Sequence, residues 1–178
     1  GKIEAIKFVR NNKIPFLGIC YGMQMAIIEF ARNKLNLKKA TSSEFDKKGL
    51  HIIGLINEWT KDGKKIKGTD KDLGGTMRLG SYDAKLKESS MIKKIYKKNL
   101  IKERHRHRYE VNIAFKEKFE KNGMIFSGLS PDGQLPEIIE LRNHPWFIGV
   151  QFHPEFKSRP LAPHPLFSSF IKASKNHK

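Results

Sequence analysis

A cysteine framed by glycines is the residue of this sequence best placed to act as a nucleophile. Gly18 and Gly22 lie two residues to either side of Cys20, after an apolar run and before a helical pattern of apolar side chains. This is the logic of a nucleophile elbow, where a strand turns sharply into a helix and holds its apex residue in strained backbone. The glycines would make room where side chains would clash, and the helix N-terminus would favour the thiolate. The alternative for a lone cysteine is a small buried residue that ends a core strand.

A thiol nucleophile needs a base that takes its proton and later returns one to the leaving group, and histidine suits both steps. Among the seven histidines, His153 stands out because it follows an apolar stretch, as Cys20 does, and precedes Glu155 by two residues. On an extended backbone such positions face the same side, so the carboxylate would orient the imidazole, with Pro154 stiffening the pair. The sequence therefore predicts a nucleophile, a base and an orienting carboxylate in the order Cys20, His153, Glu155.

Arginine and histidine alternate in the run from Glu103 to Asn112. As a strand, this run would have one face with Arg104, Arg106 and Arg108 and another with His105, His107 and Tyr109. An arginine face suits bidentate binding of carboxylate or phosphate. The alternative is a solvated edge strand kept from pairing by its charge. A metal site at the two histidines is not favoured, because no cysteine or carboxylate at matching spacing completes a zinc set.

The elements predicted around these residues alternate between helix and strand. An amphipathic helix is predicted from Gly1 to Asn12, and an apolar strand from Ile14 leads into the elbow helix. Further strands are predicted at 51–56, 76–86, 124–129, 137–141 and 146–152, and further helices at 90–97, 115–121 and 165–173. Residues 60–75 hold four glycines and many charges, which predicts an exposed, mobile loop.

The composition limits the class of protein. A length of 178 residues with 38% hydrophobic content fits one domain with its own core. One cysteine favours a reducing compartment, and the sequence has no apolar run of membrane-spanning length and no signal-peptide pattern, so we expect a cytoplasmic protein without membrane contact. The net charge of +17 would suit nucleic acid. Because the excess is mostly lysine spread along the chain, we expect solvated faces and no nucleic acid, with a polyphosphate or an acidic protein surface left open as partners.

Two motifs together resemble the glutaminase domain of the class I, triad-type glutamine amidotransferases. They are Gly18-Ile19-Cys20-Tyr21-Gly22-Met23-Gln24 and Gln151-Phe152-His153-Pro154-Glu155-Phe156. The Arg-His-Arg-His-Arg-Tyr-Glu-Val-Asn run, with Gly75-Thr76-Met77-Arg78-Leu79-Gly80, narrows the resemblance to the C-terminal glutaminase domain of CTP synthases over the whole chain. Tyr21 departs from the leucine more common in that family and is similar to the tyrosine of GMP synthetases.

The resemblance implies an α/β fold, a flavodoxin-like three-layer sandwich around a mostly parallel twisted sheet. Its site would lie at the carboxyl ends of the strands. It also implies that residues 1–178 form one glutaminase domain. Because a parallel sheet alternates strand and helix, a chain beginning with a helix is expected to follow an upstream strand and glycine-rich loop, and the resemblance places a second oxyanion donor there. The synthetase domain would lie further upstream.

Each site residue receives a role from this resemblance. Cys20 would attack the side-chain amide of L-glutamine, His153 would shuttle protons, and Glu155 would position His153. The backbone N–H of Tyr21 would be one oxyanion donor. The residues that would hold the substrate are Gln24, Glu44 and Arg108. Arg108 suits the α-carboxylate of glutamine and Glu44 its α-ammonium, whereas a loop cap beside Ser42 and Ser43 is the alternative for Glu44.

The resemblance also implies partners. The domain itself would need no cofactor and no metal. In the synthetase domain, ATP and Mg²⁺ would be used to convert UTP to CTP with the ammonia released here, GTP would be an allosteric activator, and the full-length protein would be a homotetramer. The lysine-rich 60–75 loop would face that domain or a nucleotide, or would be an idle solvated loop.

Three other functions stay open at this point. One is another class I amidotransferase, and a second is a Cys-His-Glu hydrolase of a different amide or peptide. The third is a basic nucleic-acid-binding module with an incidental cysteine.

Overall fold

The computed structural model describes residues 1–55, 60–61, 64–65 and 77–177. Its α-helices in this part of the chain are α1 Lys2–Asn11, α2 Tyr21–Asn33, α3 Met91–Tyr96, α4 Lys116–Lys121 and α5 Pro165–Lys175. Its strands there are β1 Phe16–Ile19, β2 Ala40–Ser42, β3 Leu50–Leu55, β4 Thr60–Lys61, β5 Lys64–Lys65, β6 Arg78–Leu86, β7 Leu100–His107, β8 Tyr109–Val111, β9 Met124–Leu129, β10 Pro136–Leu141 and β11 Phe147–Val150.

The predicted helices and strands are present, with shifts of a few residues at their ends. The prediction of an exposed, mobile loop at 60–75 lies largely outside the described residues. Within that range the described residues pair as a short hairpin, β4 with β5.

A six-stranded sheet in the order β1-β11-β10-β9-β6-β7 forms the centre of the fold. β1 and β11 run parallel, with Ile19 beside Val150. The other described pairings in this sheet are antiparallel. The predicted α/β class is therefore confirmed, but the sheet is mixed rather than mostly parallel.

The short connections between its strands explain why the sheet is mixed. Parallel neighbours need a crossover of a dozen or more residues, whereas antiparallel neighbours can be joined by a tight turn. Only residues 130–135 join β9 to β10, and only residues 142–146 join β10 to β11. These segments contain Pro131-Asp132-Gly133 and Asn143-His144-Pro145, which are typical turn sequences, so the sequence already favoured antiparallel neighbours.

Helices cover both faces of this sheet, as a three-layer sandwich requires. α1, α2 and α4 contribute to one apolar core, and α3 and α5 contribute to another. Successive residues of β11 point into opposite cores: Phe147 belongs to the first, and Ile148 belongs to the second. β11, the strand that lies beside β1, is thus buried on both faces.

A second, three-stranded sheet in the order β2-β3-β8 lies on the side of the first core. β2 and β3 are parallel, and β3 pairs antiparallel with β8, so that Leu55 lies opposite Tyr109. The chain passes from β7 in the large sheet to β8 in the small one at Arg108. This sheet therefore brings Tyr109 and the segment after β2 toward the end of β1.

Candidate active site

Cys20 lies at the junction of β1 and α2, in the backbone geometry of a nucleophile elbow. Its φ is +49°, a conformation that residues other than glycine rarely adopt. Its N–H donates to the carbonyl of Val150 over 2.7 Å, which ties it to the end of β11. At Gly18 an added Cβ would lie 2.8 Å from the backbone of Gly22, so this glycine is required. At Gly22 an added Cβ would meet nothing within 4 Å, so the expectation that both glycines relieve a clash is wrong for Gly22.

The Cys20 thiol is protonated at neutral pH. Burial raises its pKa to about 11, with smaller contributions in the same direction from the carboxylates of Glu110 and Glu155. The N–H of Tyr21 and the side chain of Gln151 act in the opposite direction, but less strongly. The start of α2 acts in the predicted direction, through the N–H of Tyr21, but the burial of the sulfur outweighs this effect. A nucleophilic attack by this sulfur needs a base beside it.

His153 has the hydrogen-bonding pattern of such a base. Its Nδ1 lies 2.7 Å from Oε1 of Glu155. A carboxylate only accepts, so Nδ1 carries the hydrogen and Nε2 is left with a lone pair. Nε2 is buried and has no hydrogen-bond partner among the described residues. The predicted contact between His153 and Glu155 is confirmed, although Glu155 lies in a 3-10 turn, Pro154–Phe156, rather than on an extended strand.

The base and the nucleophile lie at the same edge of the sheet. β1 and β11 are parallel neighbours, Cys20 directly follows β1, and His153 lies three residues beyond the end of β11. The N–H of His153 donates to the carbonyl of Arg104 over 2.8 Å, which anchors it to β7. The site is therefore at the carboxyl ends of this parallel pair, as the sequence predicts.

A cavity of about 270 Å³ opens on the thiol. The residues that line it are Cys20, Tyr21, Gln24, Glu44, His107, Arg108 and Tyr109. They come from the elbow, from the segment after β2 and from the junction of β7 with β8. The structure thus brings together the predicted nucleophile, the predicted oxyanion donor Tyr21 and the three residues predicted to hold the substrate. The volume is slightly below the usual range for small-molecule sites.

Glu44 and Arg108 supply opposite charges to this cavity. The N–H of Glu44 donates to the hydroxyl of Ser42 over 3.2 Å, so a serine turn places Glu44 after β2. The hydroxyl is thus the acceptor of this turn, and the Glu44 side chain lines the cavity. A cation and an anion on one wall suit the two charged groups of an amino acid.

The three arginines of the predicted strand do not share one site. Arg104 and Arg106 lie on the exposed face of β7, beside Leu79 and Phe156. β7 ends at His107, so Arg108 lies in the bend before β8 and turns toward the Cys20 cavity. The prediction that His105 and His107 share one face of the strand is confirmed, and this face is buried. The prediction that Arg108 shares a face with Arg104 and Arg106 is wrong.

Gln151 is a site residue that the sequence analysis missed. Its side-chain N–H lies 3.6 Å from the sulfur of Cys20, and its carbonyl oxygen lies 3.2 Å from Nε2 of Gln24. Gln24 also donates to the carbonyl of Tyr109 over 2.9 Å. The sequence could have indicated Gln151, because it precedes His153 by two residues and such positions face the same side of an extended segment. It also stands directly after β11, as Cys20 does after β1.

The described residues contain neither a candidate metal site nor a helix that could span a membrane. Among them, no group of three or more histidine, cysteine, aspartate or glutamate side chains is placed to hold a metal ion. Among the same residues, no helix has the length and hydropathy to span a membrane.

The sequence and the fold are similar to those of known proteins. The sequence matches the family description Glutamine amidotransferase class-I over residues 1–173. It is 90% identical to the CTP synthase of Pelagibacter ubique over 100% of this chain and 33% of that protein. It is 62% identical to the CTP synthase of Zymomonas mobilis over 98% of this chain and 32% of that protein. The chain therefore spans about a third of the length of these relatives.

Solved structures give the same result at the level of the fold. The glutaminase domain of Trypanosoma brucei CTPS with bound acivicin superposes with a TM-score of 0.86 at 35% identity, covering 99% of this chain and 66% of that one. A candidate GMP synthase component from Thermoplasma acidophilum superposes with a TM-score of 0.56 at 16% identity, covering 96% of this chain and 62% of that one. The second likeness concerns the fold alone.

Proposed function

The chain belongs to the class-I glutamine amidotransferase family, and on this premise we propose that it is the glutamine-hydrolysing domain of a CTP synthase. One observation carries the proposal: the cavity that opens on Cys20 is also lined by Glu44 and Arg108. A thiol nucleophile beside one anion and one cation is the arrangement that a free amino acid with a reactive side-chain amide requires.

The reaction begins with the proton of the Cys20 thiol. Because the thiol is neutral, Nε2 of His153 takes this proton as sulfur attacks the carboxamide carbon of glutamine. The imidazolium is stabilised by Glu155, whose carboxylate accepts the hydrogen of Nδ1 at 2.7 Å. His153 then gives the proton to the leaving nitrogen, so ammonia departs and a thioester remains. Water attacks the thioester with the same base, which releases glutamate and restores the thiol.

Negative charge develops on the carboxamide oxygen during both attacks. The N–H of Tyr21 lies at the first turn of α2, where it lowers the pKa of the Cys20 thiol. In the proposed mechanism this N–H is an oxyanion donor, a role worth about 3 kcal/mol in transition-state stabilisation. Gln24 donates to the side-chain oxygen of Gln151, and Gln151 donates to the sulfur, so this pair keeps the nucleophile in place on this side.

The activity of the whole protein belongs to the same proposal. The ammonia would be used by a synthetase domain, with ATP and Mg²⁺, to convert UTP to CTP, and GTP would activate the enzyme. A homotetramer and a cytoplasmic location are the assembly and setting we propose for the full-length protein. The identity to CTP synthases along this third of their length supports these statements.

Paired arginine variants test the substrate. Arg108→Ala removes the cation of the cavity, and loss of a charged hydrogen bond predicts a KM for glutamine raised about 10- to 100-fold. Arg106→Ala removes an exposed arginine two residues away and should leave the KM within about twofold. Glutamate release by the chain measures both.

A hydrolase of another amide would give the opposite pattern. Glutamine turnover would then be absent in the unmodified chain, or unchanged in Arg108→Ala. Either result would overturn the glutamine assignment while leaving the Cys20–His153–Glu155 site in place.

A further inference from the structure

A series of hydrogen bonds runs from the wall of the Cys20 cavity into the protein interior. His107 lines the cavity, although only 7% of it is exposed. Its Nδ1 lies 3.2 Å from the carbonyl oxygen of Tyr109, and its Nε2 lies 2.8 Å from Nδ1 of His105. None of the roles assigned above uses either histidine.

The direction of each hydrogen bond follows from the chemistry of its atoms. The Tyr109 carbonyl can only accept, so Nδ1 of His107 carries a hydrogen. The other neighbour of this nitrogen, Oε1 of Glu110 at 3.4 Å, already accepts from Arg78 and is also an acceptor. Neutral His107 then presents a lone pair at Nε2, and His105 must donate from its Nδ1. The two rings are thereby locked in one tautomer and one orientation.

At its interior end the series meets Arg78 and the buried carboxyl groups of Glu110 and Glu137. Arg78 lies 3.1 Å from Glu110 and 2.8 Å from Glu137. Nε2 of His105 lies 3.7 Å from the second oxygen of Glu137. Burial, together with the positive charge of Arg78, lowers the pKa of His105 to about 2 and that of His107 to about 3. A neutral His107 keeps its lone pair for His105 at any ordinary pH.

The carbonyl of Tyr109 is where this series meets the substrate cavity. It accepts from His107 and also from Nε2 of Gln24, at 2.9 Å. Arg108 lies between His107 and Tyr109 in sequence, so a hydrogen bond that joins these two residues closes the bend that carries Arg108. We propose that His107, oriented by His105, is a positioning residue that holds Arg108 and Gln24 in place for the amino-acid substrate.

This inference rests on the proposed function, and its test separates the two. The probe is 6-diazo-5-oxonorleucine, a diazo-ketone analogue of glutamine that would alkylate Cys20. Its concentration for half-maximal labelling reports amino-acid binding by Glu44 and Arg108, the substrate clamp, and its maximal rate reports the nucleophile. Plain iodoacetamide reports the thiol without the clamp.

Replacement of His107 should weaken the clamp and spare the nucleophile. His107→Leu keeps the volume but removes the donor, so half-maximal labelling should need about tenfold more analogue, with the maximal rate within about threefold. His107→Asn places a side-chain N–H where Nδ1–H was and should restore the value to within about twofold. His107→Gln places its side-chain N–H near the position of Nε2 instead, so it should be as impaired as His107→Leu. It takes the place of His107→Leu if that variant does not fold. The iodoacetamide rate should be the same in all of them.

His144→Leu is the matched control, because His144 is a buried histidine in the turn between β10 and β11, away from the cavity. It should lower stability without moving the labelling concentration. A His107→Leu or His107→Gln protein that labels like the wild type would overturn the positioning role alone, as would a His107→Asn protein as impaired as His107→Leu. A wild type that the analogue does not label would overturn the proposed function, and the positioning role with it.

Discussion

The chemistry of Cys20 is decided by its immediate neighbours. The left-handed backbone at φ +49° presents the sulfur to the cavity, and burial raises the thiol pKa to about 11. A thiol with so high a pKa is unreactive alone, so the proposed activity depends on the lone pair of His153. The cysteine motif by itself therefore predicts where the nucleophile lies but not its charge.

The two glycines of the elbow should respond differently to substitution. Gly18→Ala forces a Cβ to within 2.9 Å of the Phe16 ring and 2.8 Å of Gly22 backbone, and such overpacking costs about 1–3 kcal/mol. Gly22→Ala introduces a better helix former into open space and should be neutral or stabilising by up to about 1 kcal/mol. Urea unfolding of the two variants measures both effects. Equal destabilisation would show that the elbow needs both glycines.

Contacts between distant residues limited what could be predicted at this scale. The pairing of His153 with Glu155 is local in sequence, and it was predicted. The contact of Gln151 with Cys20 spans 131 residues and depends on β11 lying beside β1. The role of Arg108 depends on a bend that moves the chain between two sheets, and alternation along a single strand cannot reveal it.

At the scale of elements, buried carboxylates join helices to neighbouring segments. Glu29 of α2 accepts two hydrogen bonds from Arg10 of α1, at 2.8 and 2.7 Å. Glu140 of β10 accepts from the N–H groups of Met91 and Ile92 at 2.9 Å each, which caps the start of α3. Each contact satisfies polar groups that the cores would otherwise leave unpaired.

Removal of the α3 cap should be costly for so short a helix. Glu140→Ala leaves two N–H groups without their acceptor in a buried setting, which predicts a loss of about 2–3 kcal/mol in the free energy of unfolding. Glu88→Ala removes a carboxylate that is 78% exposed and pairs with Lys93 at the surface, so it should cost less than about 0.5 kcal/mol. Chemical denaturation compares them, and similar losses would mean that the cap contributes little.

At the scale of the whole molecule, the mixed sheet separates two apolar cores and places the site at one edge. The helices and strands were predictable because their apolar periodicity is strong. The strand order was not, although the short segments after β9 and β10 already required antiparallel neighbours. The resemblance to flavodoxin-like folds led to the prediction of a mostly parallel sheet, whereas these two short connections indicated antiparallel pairing.

The buried histidine pair should make the stability of the whole chain depend on pH. In the unfolded chain histidine titrates near a pKa of about 6.5, whereas in the folded chain the pKa values of His105 and His107 are about 2 and about 3. The unfolded state therefore takes up protons that the folded state does not. The stabilisation is complete above the unfolded pKa and falls as the pH drops toward 3, by about 1.4 kcal/mol per pH unit for each histidine.

Glu110 acts in the opposite direction, so the test compares variants. Burial raises its pKa from 4.5 to about 8, and its contribution declines as the pH rises between these values. The double variant His105→Asn and His107→Asn cannot take up these protons. Relative to the wild type, its unfolding free energy should lose about 4 kcal/mol less between pH 7 and pH 5. Parallel pH profiles for the two proteins would contradict neutral histidines in the folded chain.

The most direct test of the proposed glutamine site is the intact mass of the chain after incubation with the diazo-ketone glutamine analogue. A nucleophilic Cys20 in a cavity that selects glutamine predicts one adduct, mapped to Cys20, suppressed by excess glutamine and absent from Cys20→Ser. An adduct that glutamine does not suppress would contradict the substrate clamp. No adduct from a protein that still reacts with iodoacetamide would show an accessible thiol without a working site.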